Sequence, residues 1–137
     1  MSFLYICRTA ESPSFTNRAA AHLGLTLEHV HSNHEGVLVE AIHAARGRCD
    51  AIIVNPAALT HYAWSLHDAL AAFDGPVIEL HLSNPNAREA WRHTSVVAPV
   101  ATGSIMGFGG LGYELAVEAV GRILTGDSGA SGDATGE

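Results

Sequence analysis

Glu79, His81 and Ser83 alternate along one short stretch, so on an extended backbone their side chains share a face. A carboxylate two residues from a histidine fixes its tautomer and supports it as a general acid or base, while Ser83 adds a hydroxyl or a backbone donor. Asn55 and His61 follow a second apolar run. Together these groups suit a site that grips a small oxygenated molecule and moves protons on it. The Ser/His/acid grouping lacks the GxSxG elbow of an α/β hydrolase, which ranks acyl transfer low. The bland alternative is a strand end whose polar groups satisfy loop backbone; Asn55 and His61 at the neighbouring strand end tip the balance toward chemistry.

The remaining chemistry is bounded by what the chain lacks. Its 137 residues carry seven cationic and fourteen acidic side chains, net charge -7, and every cation is an arginine. Without lysine there is no imine, no pyridoxal-phosphate aldimine and no Walker-type phosphate lysine. The acidic balance argues against non-specific nucleic-acid binding. The nine histidines are the main stock of groups that titrate near neutral pH. His29, His31 and His34 have spacing a zinc site can use, but no thiolate or helical i,i+4 histidine pair accompanies them, so solvated or loop-bonding roles are expected. His22, His43, His67 and His93 fall on predicted helices and read as surface or interface groups. Cys7 and Cys49 have no metal-like spacing and read as thiols of a reduced compartment. The N-terminal stretch does not read as a secretory signal and no apolar run nears 18 residues, so a cytoplasmic protein is the expectation.

These candidates are positioned by a regular alternation. Apolar runs at 3–7, 25–30, 51–54, 76–80 and 96–100 read as strands, and helical patterns cover 17–23, 37–45, 63–73, 87–92 and 113–124. Short strands alternating with helices imply βαβ units: an α/β domain with a flavodoxin-like three-layer sandwich around a five-stranded parallel sheet. Residues 1–125 make one domain, and 126–137, rich in Gly, Ser, Asp and Ala, read as a flexible acidic tail. Ligands of such sheets bind beyond the carboxyl ends of the strands, where Asn55, His61, His81 and Ser83 gather. Gly107 to Gly112 spells GxGxxG but lacks the following strand and acid of a dinucleotide site, and reads as a tight turn. Trp64 and Trp91 read as packing or subunit contacts.

The residues also resemble a known family. His31-Ser-Asn33-His34-Glu35-Gly36, Ile53-Val-Asn55-Pro-Ala-Ala58-Leu-Thr60-His61, Pro76 to Asn84 with Ala87-Arg88-Glu89 and Arg92, and Gly107-Phe-Gly109-Gly-Leu-Gly112-Tyr113 are similar, in order and spacing, to segments of the type II dehydroquinases (3-dehydroquinate dehydratases). The likeness spans about residues 26–124. It implies a hydro-lyase that removes a proton beside a ketone, passes through an enolate and expels a β-hydroxyl as water. His81, supported by Glu79, would be the general acid, and Asn55 would hold a water on the enolate oxygen. His61 and Arg92 would bind substrate hydroxyls, Leu82 and Ser83 would hold the carboxylate through their backbone, and Ala58 belongs to the same binding set. Asp68 would reach a neighbouring subunit's site in a trimer or a dodecamer of four trimers. The chemistry requires no lysine, metal or cofactor, and its partner is a small molecule rather than nucleic acid or membrane.

The beginning of the chain departs from that family. Where type II dehydroquinases carry a lid segment with an essential arginine and a tyrosine base, Arg8 to Phe15 runs almost directly into a helix, and no tyrosine follows Pro13. Arg8 is the remaining cation there, Tyr5 sits inside the first strand, the loop glycine is Ala57, and Tyr62 replaces a threonine. A phenol titrates near 10 and is a weak base until activated, so the family reaction should be impaired unless another residue or subunit supplies the base, whereas a repurposed elimination or cyclisation would use His81 as acid and His61 or Tyr62 as base. Alternatives are a repurposed paralogue catalysing a different dehydration or cyclisation in specialised metabolism, or a non-catalytic ligand-binding or scaffold paralogue.

Overall fold

The computed structural model describes residues 2–7 and 14–127, with side chains from residue 17 onward. Arg8, Pro13, the side chain of Tyr5 and the tail beyond Asp127 therefore lie outside the described residues. In chain order the elements are β1 (Ser2–Cys7), α1 (Ser14–His22), β2 (Thr26–His31), α2 (Glu35–Ala45), β3 (Ala51–Asn55), α3 (Trp64–Ala71), β4 (Val77–His81), β5 (Gly103–Met106) and α4 (Leu111–Thr125). Short 3₁₀ turns occupy Ala57–His61, Pro85–Ala87, Ala90–His93 and Ala98–Val100. The strands pair in the order β2-β1-β3-β4-β5, each neighbour parallel. Among the described residues no helix is long and apolar enough to cross a membrane.

β3 and β4 are buried at every position because helices cover both sides of the sheet. Alternation divides their side chains between two layers. Ile52, Val54 and Val77 pack with Leu38, Ile42 and Ala45 of α2 and with Leu66, Ala69 and Leu70 of α3. Ala51, Ile53, Ile78 and Leu80 pack on the other side with Ala20 of α1 and Tyr113, Ala116, Val117 and Val120 of α4. The helical positions repeat every three or four residues, the spacing that sets one stripe against a sheet. Glu79 and His81 share the pleat of Val77, so they point toward the α2–α3 side. α4 stops at Gly126, whose φ of 79° makes it a left-handed cap.

Two expected elements are corrected. Residues 96–100 form no strand: Pro99 removes a ladder donor, and Ala98–Val100 is a 3₁₀ turn, while Val96 and Val97 are buried as packing residues. The edge strand is β5, whose Gly103–Met106 run carries little apolar pattern. The expected helix at 87–92 is instead two separate 3₁₀ turns, Pro85–Ala87 and Ala90–His93, parted by an extended Arg88 and a non-helical Glu89.

Candidate active site

The site is built on the carboxyl ends of β3 and β4, which pair with Val54 opposite Glu79. β1 ends beside them, Cys7 opposite Asn55. The glycine turn before α4 clamps the end of β4 and the residue after it: Gly107 N–H donates to the His81 carbonyl (3.2 Å) and Gly109 N–H to that of Leu82 (3.0 Å). Gly107 has φ 92°, which strains any side chain, and a Cβ there would crowd Cβ of Asn84 at 3.2 Å.

Glu79 is fully buried, yet it is ionised by its surroundings. Thr60 Oγ1 donates to its Oε1 at 2.8 Å and Ser95 Oγ at 2.5 Å. Ser95 Oγ in turn accepts the N–H groups of Val97 (3.1 Å) and Ala98 (2.9 Å), which directs its one proton toward Glu79. Burial alone would raise the carboxyl; the adjacent His81 and the hydroxyls of Ser95 and Thr60 outweigh it and hold the group below the usual carboxylate range. His81 Nε2, itself buried, faces Glu79 Oε1 at 3.6 Å, slightly beyond hydrogen-bond length, and has no closer partner among the described residues. A carboxylate at that position favours the tautomer with its proton on Nε2.

His61 closes the Ala57–His61 turn. Its Nδ1 lies 2.7 Å from the Thr94 carbonyl, its ring meets Trp91 edge-on at 5.2 Å, and the Arg92 guanidinium lies 4.0 Å above the same indole. Arg92 is held by Glu89 (2.5 Å), whose carboxyl is lowered by backbone and Arg92 hydrogen bonding.

Around these groups lies a cavity of about 230 Å³ lined by Asn55, Ala57, Ala58, His61, His81, Leu82, Ser83, Pro85, Arg88 and Arg92. A wider hollow of about 430 Å³ shares His61, His81, Pro85 and Arg92 with it and extends to Ser95 and Met106. The structure thus gathers Asn55, Ala58, His61, His81, Leu82, Ser83 and Arg92, with Glu79 directly behind His81. Tyr62 and Asp68 are exposed and line neither space. A larger cavity of about 590 Å³ between Arg18 and His22 of α1 and Glu114 and Glu118 of α4 lies away from this chemistry. Sequence reading assigned no role to Thr60, Ser95, Thr94 or Arg88, which reaches Ser83 Oγ at 3.4 Å. Among these, Thr60 carried a signal, being directly before the loop histidine. His67, expected on a surface, binds the Val96 carbonyl through Nδ1 at 2.6 Å.

A family model described as dehydroquinase class II matches residues 8–121. A 3-dehydroquinate dehydratase of Roseiflexus castenholzii is 57% identical over 99 residues, covering 72% of this chain and 63% of that protein. One from Dinoroseobacter shibae is 47% identical over 116 residues, covering 85% and 77%. The chain thus spans less than two thirds of the length of the Roseiflexus protein. Among solved structures, a type II dehydroquinase from Butyrivibrio crossotus superposes with a TM-score of 0.81 at 33% identity, over 88% of this chain and 97% of the other. A 3-dehydroquinate dehydratase-like protein from Bifidobacterium longum gives 0.71 at 30% identity, over 90% and 97%.

Proposed function

The chain belongs to the class II dehydroquinase family, and from that premise we propose that it is a hydro-lyase removing water from 3-dehydroquinate or a closely related cyclic hydroxy-ketone acid. The observation that carries the reading is the buried Glu79 carboxylate, held ionised behind His81 at the wall of a cavity that also presents Asn55, Ser83 and two arginines. Loss of a β-hydroxyl from an enolate needs a proton for the departing oxygen. His81 supplies it, with the Glu79 carboxylate behind the ring to orient it. Arg88 and Arg92 favour an anionic substrate, and the segment at Leu82 and Ser83 receives its carboxylate. Asn55, whose Oδ1 accepts the Ala57 N–H at 3.3 Å, is left with its amide N–H groups to donate to an oxygen in the cavity. Ala58 lines the same wall.

The strand order supports the finer flavodoxin-like, five-stranded, three-layer assignment. We extend the reading to residues 1–125 as the catalytic domain, 126–137 as a flexible tail, a cytoplasmic setting, and assembly as a trimer or as a dodecamer in which Asp68 approaches a neighbour. Incubation of the purified protein with 3-dehydroquinate, monitored by ultraviolet absorbance of the conjugated product, tests the activity. Sustained product formation that disappears in H81A supports it; binding without conversion refutes it and leaves a ligand-binding role.

A further inference from the structure

We infer that His61 is the proton acceptor of this site: its Nε2 takes the proton next to the substrate ketone while His81 serves the leaving oxygen. The assignment rests on the proposed dehydration. His61 Nδ1 lies 2.7 Å from the Thr94 carbonyl, an oxygen that can only accept. Nδ1 therefore carries the ring proton, and the lone pair of the neutral imidazole is on Nε2. His61 lines both the 230 Å³ cavity and the 430 Å³ hollow, and His81 lines both as well. The two rings are prepared in opposite senses. The Glu79 carboxylate lies behind His81, whereas a neutral carbonyl backs His61 and fixes one tautomer.

Neither tyrosine whose side chain is described competes. The sequence has three. Tyr62 is 57% exposed and lines neither space, while Tyr113 is buried in the layer between the sheet and α4. The backbone of Tyr5 pairs opposite Ile53, and its side chain lies outside the described residues. An imidazole also needs less activation than a phenol, since free histidine titrates near 6.5 and tyrosine near 10. The charged and titratable groups sharing the two spaces with His61 are His81, Arg88, Arg92 and His93.

The step balances. The carbon–hydrogen bond beside the ketone breaks, its proton forms a bond to Nε2 of His61, and its electron pair becomes the enolate double bond. That pair then returns to expel the β-oxygen, which takes a proton from His81 and leaves as water. His61 loses its proton and His81 regains one through solvent.

The test compares wild type, H61A and H61Q in steady-state turnover of 3-dehydroquinate, with H61A repeated in added imidazole. Expected are a fall in kcat of about 10²–10⁴-fold in both variants, KM within threefold of wild type, and a rate in H61A that rises with the concentration of unprotonated imidazole. Retained kcat with a raised KM would make His61 a binding residue and overturn the inference while leaving the dehydration intact. A wild type that does not turn over 3-dehydroquinate fails at the earlier step, overturning the dehydration reading and the base assignment with it. Thermal melts of both variants within a few degrees of wild type separate lost chemistry from lost folding.

Discussion

Ser95 donates its hydroxyl proton to Oε1 of Glu79 across 2.5 Å, because the N–H groups of Val97 and Ala98 occupy its lone pairs. One side chain therefore links the turn at Ala98–Val100 to the charged centre of the site. Removing the hydroxyl in S95A leaves a buried carboxylate short of a donor and two backbone N–H groups without an acceptor. The expected cost is about 1–3 kcal/mol of stability, read as a lower urea midpoint at unchanged m-value. The conservative S95T restores most of it; an S95A midpoint equal to wild type would remove Ser95 from the account.

The same network predicts how stability depends on pH. The folded Glu79 carboxyl lies below its ordinary value of 4.5, through hydrogen bonding that outweighs desolvation. A lowered folded value means the unfolded chain binds the proton first. This contribution is complete above pH 4.5 and is lost as pH falls through the folded value. E79Q keeps the shape and removes the titration. The stability gap between wild type and E79Q should therefore shrink between pH 6 and pH 3, measured by denaturant unfolding at each pH. A gap that stays constant or widens in acid would contradict the ionised carboxylate.

Local sequence patterns record some of this site and not the rest. Asn55, Glu79 and His81 lie at the ends of all-buried runs, and parallel strands bring such ends to one edge, so their grouping is legible from alternation alone. The stretch at 96–100 imitates a strand because Val97 is buried in, and Val100 packs against, the α2–α3 layer rather than pairing, a distinction hydrophobicity does not carry. Thr60 and Ser95 are hidden for a related reason. Their role depends on a loop folding back across 35 residues to join them at 2.9 Å, and nothing in the local sequence encodes that approach. The tautomer of His61 is hidden in the same way, since it is set by a main-chain carbonyl that any residue at position 94 would offer.

Ala57 is the one non-glycine residue with positive φ among the described residues, at 50°, and it sits on the cavity wall beside Asn55. Its methyl group is strained against its own carbonyl there, at a cost of about 1–2 kcal/mol. Glycine would relieve the strain but add backbone freedom to the unfolded chain, worth about 0.4–1 kcal/mol in the other direction. The strain is larger, so A57G should raise stability by about 0.5–1 kcal/mol. A differential melt checks it: a lower melting temperature in A57G would mean that the turn draws more from the methyl group than the backbone loses.

Trp91 is 55% exposed and yet touches both His61 and Arg92. At such a surface the edge contact and the cation–π contact are each worth about 0.5–1 kcal/mol. The indole covers no core, so no more than that sum, about 1–2 kcal/mol, of folding stability should depend on them. They hold an imidazole and a guanidinium toward the same cavity, so W91A should lower kcat/KM by up to about 5–30-fold, at tenfold per 1.4 kcal/mol, with its melting temperature lowered by only several degrees. W91F keeps an aromatic face and an edge, and should stay within threefold of wild type. If W91A and W91F fall equally, the indole acts through its N–H or its bulk; if neither falls, His61 and Arg92 are held by Thr94 and Glu89 alone.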